Sequence, residues 1–363
     1  MSDLIVKVVQ ISDIQPHPNA DALELAIVGG WQVVVKKGTL EKGDHVIHIP
    51  PDSLVPWDIA EKWGVSSYLS GYEKYKLNSK NVGEGRVKTI RLRGEISHGF
   101  IVENKDNHPA DADVKDFYGI MKWEPPEDVA WSRENAEKPH PGLFKYTDIQ
   151  NQRNYQSTFY DGEEVVATEK IHGTSSVIAL VTIQDNDEQS SEFMISSKKV
   201  RRKIGEGSLY ELPLNSHPFI KNMLEDLYVK NTINSVRPVS VEIFGELFGW
   251  VQDLKYGHNA GDVSYRAFDI AINGKYVDYD VFTKTCDEYD IPRVPEIYRG
   301  KYDEKKLWEL SLGNTLIKMD NPHIREGLVV HPVKERIDPK LGRVILKFIS
   351  NTYLTRKGGT EFN

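Results

Sequence analysis

The chain has 363 residues, of which 28% are charged and 39% are hydrophobic, and its formal net charge is -8. This length exceeds what one core usually holds, so two domains are expected, and no run approaches the roughly 20 apolar residues of a membrane helix. The single cysteine, Cys286, excludes an internal disulfide and a cysteine-based zinc site. With an N-terminus that lacks a signal-peptide pattern, this predicts a cytoplasmic protein.

Residues 4–103 carry short segments with a strand pattern, separated by glycine, proline, asparagine and aspartate. The segments read IVKVVQI, LELAIVGG, WQVVVKKG, HVIHIP, RVKTIRL and GFIVE. Several short strands with turns between them favour a small β-barrel. A Greek-key barrel of the oligonucleotide-binding type fits, although periodicity does not separate it from other small barrels. We assign residues 1–125 to this barrel.

The composition changes after the barrel. Residues 126–145 contain several prolines among many charges and few periodic apolar positions, which is typical of a linker. A second domain is predicted over residues 146–350, where EEVVATEK and SSVIALVTI have strand patterns, and residues 351–363 form a tail. Within that domain, polar residues 184–192 predict a hairpin loop, and residues 217–230 predict a helix with one apolar face.

Five of the six residues from 198 to 203 are cationic: Lys198, Lys199, Arg201, Arg202 and Lys203. Such runs occur both in solvated loops and on surfaces that contact nucleic acid. The run alone favours neither interpretation.

Lys170 lies at a strand end, in the order Glu-Lys-Ile-His-Gly-Thr. On its own this pattern indicates a surface lysine beside a turn, because Gly173 permits a tight turn. Five further short motifs follow in the same domain, each on a predicted strand. They read SSKK at 196–199, FGE at 244–246, FDI at 268–270, EGLVV at 326–330 and LKFIS at 346–350.

In this order the six motifs resemble those of the covalent nucleotidyltransferases, with the histidine variant of the first motif that is seen in the phage RNA ligase 2 group. WQVVVKKGTLEKGD and TIRLRGEISHGF resemble the N-terminal barrel of the Naegleria-type RNA ligases. HPNADALELA also resembles the tRNA-binding barrel of some synthetase subunits. The resemblance implies an α+β protein, with an OB-like barrel followed by a nucleotidyltransferase domain of antiparallel sheets and flanking helices.

The resemblance also implies roles for individual residues. Lys170 is the nucleophile that takes AMP from ATP, and Lys347, together with Mg²⁺ or Mn²⁺, lowers its pKa and stabilises charge on the phosphates. Glu246 contacts the ribose or a metal-bound water, Phe268 stacks on adenine, and Glu326 helps to hold the metal through waters. The further nucleotide contacts are Glu169, Ile171, Gly173, Lys198 and Arg153, and the contacts to nucleic acid are Lys199, Arg201, Arg202 and Lys203.

Two positions depart from the family pattern. The last motif usually carries two lysines two residues apart, whereas Ile345 stands in the first place. Arg343, two residues earlier on the same strand face, is a candidate substitute. His172 replaces the commoner aspartate, and it is either a polar contact near the phosphates or a turn residue.

We therefore expect an ATP-dependent RNA ligase that joins 3′-OH and 5′-phosphate ends of RNA, at nicks in duplexes and without an obligate protein partner or a membrane. Two alternatives remain open. A DNA ligase differs in its preference for the sugar at the 3′-OH side of the nick. A catalytically inactive protein that binds RNA or tRNA is the second alternative, which Ile345 keeps open.

Overall fold

The computed structural model describes residues 2–77, 83–124, 135–185, 188–198, 200–205 and 207–357. They form two compact units. The first contains the described residues of Met1–Pro126, Ile149–Ser157 and Asn351–Asn363, and the second contains those of Glu127–Asp148 and Thr158–Ser350. The described part of the expected linker thus belongs to the second unit, and the described part of the expected tail belongs to the first.

Short strands dominate the first unit. They are β1 (Lys7–Pro16), β2 (Leu23–Val28), β3 (Trp31–Lys36), β4 (His45–Ile49), β5 (Ser53–Pro56), β6 (Glu84–Arg86), β7 (Thr89–Leu92), β8 (Glu95–His98), β9 (Phe100–Glu103), β10 (Met121–Lys122) and β11 (Gln150–Asn151). The α-helices are Trp57–Lys62, Tyr72–Leu77 and Asn351–Leu354, and the 3₁₀ helices are Ser66–Tyr68 and Gln152–Asn154. The main sheet has the order β3-β2-β1-β4-β9, beside the smaller sheets β10-β5-β6 and β7-β8.

Both faces of the main sheet are covered. Because side chains alternate along β4, Ile47 lies in one apolar cluster with Trp57, and Val46 lies in another with Trp31. The alternating segments of the sequence therefore form a closely packed small β unit, as predicted.

Two antiparallel sheets form the frame of the second unit. Its strands are β12 (Glu164–Lys170), β13 (Thr174–Asp185), β14 (Glu188–Ser197), β15 (Arg201–Arg202), β16 (Ser240–Gly249), β17 (Val263–Ile272), β18 (Lys275–Tyr276), β19 (Glu296–Lys301), β20 (Gly327–Pro332), β21 (Ile337–Asp338), β22 (Gly342–Arg343) and β23 (Leu346–Ile349). One sheet has the order β15-β14-β13-β16-β17-β18, the other contains β23, β20, β12 and β19 in that order, and β21 pairs with β22.

The helices of the second unit pack on these sheets. They are Leu212–Ser216, Phe219–Lys230, Tyr279–Glu288 and Glu304–Ser311, with a 3₁₀ helix at Leu209–Glu211. In Phe219–Lys230 the buried residues Ile220, Met223 and Leu224 recur at helical spacing and join the core cluster of Ile178 and Ile243. This confirms the predicted helix except for its first two residues. No helix within the described ranges is long and apolar enough to cross a membrane.

The hairpin of β13 and β14 is longer than predicted. Asp185 pairs with Glu188, so residues 188–192 belong to a strand, and the predicted loop over 184–192 is wrong. Residues 186–187 lie outside the described residues. The first five residues of β14 are exposed, so this part of the strand is stabilised by its hydrogen bonds to β13 rather than by burial. Its residues are polar and show no apolar alternation, which is why the sequence did not indicate a strand here.

Candidate active site

Lys170 and Lys347 lie on one face of the same sheet. Lys170 ends β12 opposite Gly327 of β20, and Lys347 on β23 lies opposite Val329 of β20. Thr168 also pairs with Val329. Since residues two apart on a strand share a face, Lys170 and Lys347 point to the same side of the sheet. The structure thus brings the predicted nucleophile and the predicted phosphate-binding lysine to one surface.

The Lys170 amine is held by a buried carboxylate. Its Nζ lies 2.6 Å from Oε1 of Glu326, whose side chain is 1% exposed, whereas that of Lys170 is 25% exposed. Burial alone would lower the pKa of Lys170, but Glu326 and Glu246 together raise it. This direction is opposite to the lowering expected from Lys347. These two acids therefore favour the protonated form of Lys170.

The two carboxylates beside Lys170 differ in their protonation. Burial alone would raise the pKa of Glu326, but Lys170 and His172 lower it to about 2. Burial raises the pKa of Glu246 to about 7, although Lys170 lowers it. Glu326 is thus an anion at neutral pH, whereas Glu246 titrates near neutral pH. Additional positive charge nearby would lower the pKa of Glu246.

Gly173 is required by a close approach of two strands. A Cβ at this position would lie 2.1 Å from the carbonyl oxygen of Leu247 and 3.0 Å from Cγ of Glu246. Glu246 itself pairs with Ser175 across β13 and β16. The absent side chain lets the turn after Lys170 lie against the strand that carries Glu246, which explains the glycine of the first motif.

His172 makes contacts that the sequence did not reveal. Its Nε2 lies 2.5 Å from Oδ1 of Asp253, its Nδ1 lies 3.4 Å from Oε2 of Glu326, and its backbone N–H donates to the Tyr256 hydroxyl at 2.8 Å. Burial alone would lower the pKa of His172, but the hydrogen bonds to Asp253 and Glu326 raise it. His172 is therefore part of the carboxylate network of Lys170 and more than a turn residue.

A second set of predicted residues surrounds an apolar cluster beside Lys170. The cluster contains Ile171 and Tyr256, with Phe268 packed against it. Phe268 lies at a bulge, since the register of β16 and β17 shifts between Phe244 and Gly245, and a bulge redirects a side chain.

Glu169 is a buried acid with one oxygen unpaired. The residue is 1% exposed. Its Oε2 accepts a hydrogen bond from the backbone N–H of Leu316 at 2.8 Å, whereas its Oε1 has no partner among the residues that the structure describes. A buried polar atom without a partner is costly, so Oε1 is suited to accept a hydrogen bond from a ligand.

Arg343 is engaged elsewhere. β22 ends at Arg343 and β23 begins only at Leu346, so the expectation that Arg343 and Lys347 share one strand face is wrong. The Arg343 guanidinium pairs with Asp269 at 2.7 Å and with Glu335 at 2.5 Å, and it is buried. Replacing the missing family lysine would require breaking both pairs.

At least two of the four described cations in the basic run contact acids. Lys198 lies 2.5 Å from Asp148, and Arg201 lies 2.9 Å from Glu137 and 3.1 Å from Glu192. These contacts leave fewer free cations than the sequence suggests.

The other members of the run differ in burial. Arg202 is buried, with its guanidinium 5.5 Å from the Tyr210 ring, and the Tyr210 hydroxyl in turn lies 3.1 Å from that of Thr174. The backbone N–H of Lys203 donates to the carbonyl of Asn135. Lys199 lies outside the described residues. Arg202 thus connects through Tyr210 to the strand that follows Gly173.

Arg153 belongs to the first unit, whereas the other predicted site residues belong to the second. Its guanidinium donates to the Gly30 carbonyl and lies 5.5 Å from the Trp31 ring. Within its own unit Arg153 therefore serves as a packing residue of the barrel.

The carboxylates suit a hard divalent cation. Such ions prefer oxygen ligands and Mg²⁺ keeps several waters, so two protein carboxylates suffice. Glu326 Oε2 lies 3.4 Å from His172 Nδ1, a long contact, and Glu246 lies close enough to affect the pKa of the same lysine. No cluster of three or more histidine, cysteine or acidic residues that could hold a metal is found among the described residues.

The site thus combines a strand-end lysine within a carboxylate network, an apolar cluster and the buried acid Glu169. Residues 163–349, just over half of the 363 residues, match the RNA ligase family, and residues 5–103 match an OB-fold domain. The chain therefore belongs to the RNA ligase family. The predicted order of an OB-like barrel and a nucleotidyltransferase domain is confirmed.

Solved structures of Naegleria gruberi RNA ligase share the fold. A variant with AMP and Mn is 21% identical, with a TM-score of 0.75 over 97% of this chain and 98% of that chain. A variant with ATP and Mn is 21% identical, with a TM-score of 0.74 over 96% and 98%. The enzyme with PPi is 22% identical, with a TM-score of 0.72 over 97% and 98%. No curated protein matches the sequence.

Proposed function

We propose that this member of the RNA ligase family uses ATP to join RNA 3′-OH and 5′-phosphate ends, through an adenylate on Lys170. The observation that carries the proposal is the 2.6 Å contact between the Lys170 amine and the buried Glu326 carboxylate, on the sheet face that also carries Lys347. A lysine amine held beside a phosphate-binding cation has the arrangement that covalent catalysis at phosphorus requires.

The chemistry divides one difficult substitution into three steps. In the first, Lys170 Nζ forms a bond to the α-phosphorus of ATP while the bond to the β-phosphate oxygen breaks and pyrophosphate leaves. In the second, the 5′-phosphate of the RNA displaces Lys170 from phosphorus and carries AMP. In the third, the 3′-OH attacks that 5′-phosphate and AMP leaves. Lys347 stabilises the charge that develops on the phosphates.

Lys170 must lose a proton before it attacks. Its raised pKa in the ligand-free chain comes from Glu326 and Glu246, so the amine is released when positive charge offsets these acids. Glu326 and Glu246 would hold a divalent cation, which would supply this charge and also offset the phosphates of ATP. Because the pKa of Glu326 is low, it is a poor proton acceptor, and the amine proton passes to water at the partly exposed Lys170 side chain.

The apolar cluster beside Lys170 is suited to adenine. The exocyclic amino group of adenine is a hydrogen-bond donor, and Glu169 Oε1 is a buried acceptor without a partner among the described residues. Phe268 offers an aromatic face within the apolar cluster of Ile171 and Tyr256. The related Naegleria gruberi structures contain ATP or AMP with Mn, which supports ATP as the substrate and Mg²⁺ or Mn²⁺ as the metal.

Lys170→Ala tests the proposal directly. Incubation with ATP that is radiolabelled at the α-phosphate should label the wild type and leave Lys170→Ala unlabelled. Lys301→Ala is the matched control, because Lys301 ends β19 of the same sheet and is exposed. Label that persists on Lys170→Ala would refute the nucleophile, and a wild type that binds RNA without acquiring label would favour the inactive RNA-binding protein.

The substrate is tested with matched nicked duplexes. Two duplexes that differ only in ribose or deoxyribose at the 3′-OH side of the nick distinguish RNA from DNA ligation, since the 2′-OH is their sole chemical difference. We expect faster sealing of the ribose nick. Equal or faster sealing of the deoxyribose nick would favour a DNA ligase, and sealing only of unpaired strands would contradict the nick preference.

A further inference from the structure

The loop between β16 and β17 is closed on itself directly after the motif that carries Glu246. The backbone N–H of Trp250 donates to the carbonyl of Asp262 at 2.8 Å, where the two strands separate. Gly249 permits this closure, because it has a φ of +105° and a Cβ there would lie 2.8 Å from the same carbonyl oxygen. We call residues 250–262 the active-site loop.

The active-site loop is attached to the nucleophile's own turn. Asp253 contacts the His172 ring at 2.5 Å, and the Tyr256 hydroxyl accepts the His172 backbone N–H at 2.8 Å. Tyr256 is buried and has a φ of +51°, a left-handed conformation that is uncommon outside glycine and asparagine. Two contacts and a constrained backbone therefore fix the loop beside Lys170.

The Trp250 side chain of this loop has no role yet in the active site and is not part of the core. Trp250 is 48% exposed, and Lys255 Nζ lies 4.3 Å from the centre of its ring. An indole that is about half exposed has a face available for stacking on a ligand. The lysine places a positive charge at the same aromatic surface.

We propose that Trp250 and Lys255 form a contact for the nucleic-acid substrate, in which a nucleobase stacks on the indole and the ammonium group binds a neighbouring phosphate. Every base has an aromatic face, and such stacking contributes about 1–3 kcal/mol per base without sequence preference. A cation beside the ring matches the polyanionic backbone, which a protein partner would not generally supply. The inference rests on the proposed ligase function and names a substrate contact for that same site.

This contact complements the basic run. Lys198 and Arg201 are paired with acids, whereas the contact of Lys255 is with an aromatic ring. Phosphate binding at Lys198 or Arg201 must displace a carboxylate, and at Lys255 it need not. The active-site loop is therefore the better placed of the two segments to hold a strand near Lys170.

The test separates nucleotide chemistry from substrate binding. Trp250→Ala should acquire the α-phosphate label at a rate within about twofold of the wild type, because the indole contacts Lys255 whereas the Lys170 amine is held by Glu326. Its binding of a fluorescent nicked RNA duplex without ATP, measured by anisotropy, should weaken roughly tenfold, which is the lower part of the effect expected for one stacked base. Trp250→Phe should restore part of the affinity.

Tyr160 provides a matched control within the same unit. It is 62% exposed and carries the Arg336 guanidinium 4.1 Å from its ring, so Tyr160→Ala also removes an exposed aromatic and cation pair. We expect duplex binding and sealing by this variant to equal those of the wild type. Equal losses in Tyr160→Ala and Trp250→Ala would overturn the assignment of the contact to the active-site loop.

Each remaining outcome decides the proposal. Unchanged duplex binding by Trp250→Ala overturns it, and so does loss of the label, because the indole then supports the nucleophile instead. If the wild type takes no label but Trp250→Ala still weakens duplex binding, the ligase function fails and the contact stands. Lys255→Ala should reduce the slope of log affinity against log salt by about 0.7–0.9, and an unchanged slope would refute the phosphate contact.

Discussion

Two lysine-containing regions of the second unit contrast in what surrounds their cations. In the nucleophile corner, which we define as Lys170, His172, Glu246, Asp253 and Glu326, the amine contacts the Glu326 carboxylate, whose side chain is 1% exposed. In the basic run from 198 to 203, two cations, Lys198 and Arg201, lie beside acids whose side chains are 32% to 55% exposed. The comparison shows that the number of cations in a segment does not determine which of them is available to a ligand.

The difference follows from the solvent around each pair. Glu326 is 1% exposed, whereas the side chain of Glu192, which contacts Arg201, is 55% exposed. Charges in water attract each other weakly, and exposed pairs contribute about 0–1 kcal/mol. A buried pair is coupled far more strongly, and removing one partner costs about 3–5 kcal/mol. The acids of the corner therefore set the protonation state of Lys170, whereas the acids beside the basic run only reduce its net positive charge.

Glu326→Gln should have the largest effect on this contrast. The change removes the charge that holds Lys170 and one oxygen of the expected metal site, and we expect adenylate formation to slow by roughly 100-fold or more. The change also removes one cause of the raised pKa of Lys170, which favours the neutral, reactive amine. We expect this gain in reactivity to be small, because bound cations would already offset the Glu326 charge in the reacting complex. The rate of labelling at saturating ATP measures the effect.

The control for this variant lies on the same strand. Glu164 begins β12 and its side chain is 62% exposed, so Glu164→Gln removes an acid that water screens. We expect its labelling rate to stay within about twofold of the wild type. A loss of less than tenfold in Glu326→Gln would mean that burial does not give the corner its importance.

The sequence predicted much of the corner, because the motifs are local. Lys170 and Glu246 lie on strands, Glu326 directly precedes β20, and the fixed order of their motifs identified them before any contact was known. The structure brings these residues to one site. The same reasoning predicted the helix Phe219–Lys230, whose apolar spacing is also local.

Asp253 and Trp250 were missed because their signal is tertiary. They lie in a loop without periodicity, and only the pairing of β16 with β13 brings that loop to His172. The pairs of Arg201 were missed for a similar reason, since Glu137 is distant in sequence and Glu192 lies on β14, the neighbour of β15 in the sheet. A sequence shows which charges exist, whereas their partners depend on the fold.

A double-mutant cycle on His172 and Asp253 sharpens the comparison by testing whether the corner acts as a unit. We expect His172→Ala and Asp253→Ala each to slow labelling roughly tenfold, and the double variant to be about as slow as either one. Such a result corresponds to a coupling of about 1.4 kcal/mol, within the range for contacting residues. Additive losses would show that the 2.5 Å contact between them does not contribute to the reaction.

Asp262→Asn is the control for the cycle. Asp262 lies on the same active-site loop, is exposed and contacts Asn259. The substitution therefore removes an acid from the loop without changing the contact between Asp253 and His172. Its labelling rate should equal that of the wild type. Thermal melting of all variants identifies any loss that arises from a damaged fold rather than from the corner.

Arg201→Ala should have the smallest effect and tests the other side of the contrast. Because Glu137 and Glu192 already offset the Arg201 charge, we expect duplex binding to weaken by less than about threefold and its salt dependence to change little. Binding of the nicked duplex at several salt concentrations measures both quantities. A tenfold loss, with the salt slope reduced by about 0.7–0.9, would mean that the acids release Arg201 when RNA arrives. The basic run would then be a binding surface whose cations leave their acid partners when RNA binds. In that case the number of cations in the sequence would predict the RNA-binding surface better than the ion pairs of the structure do.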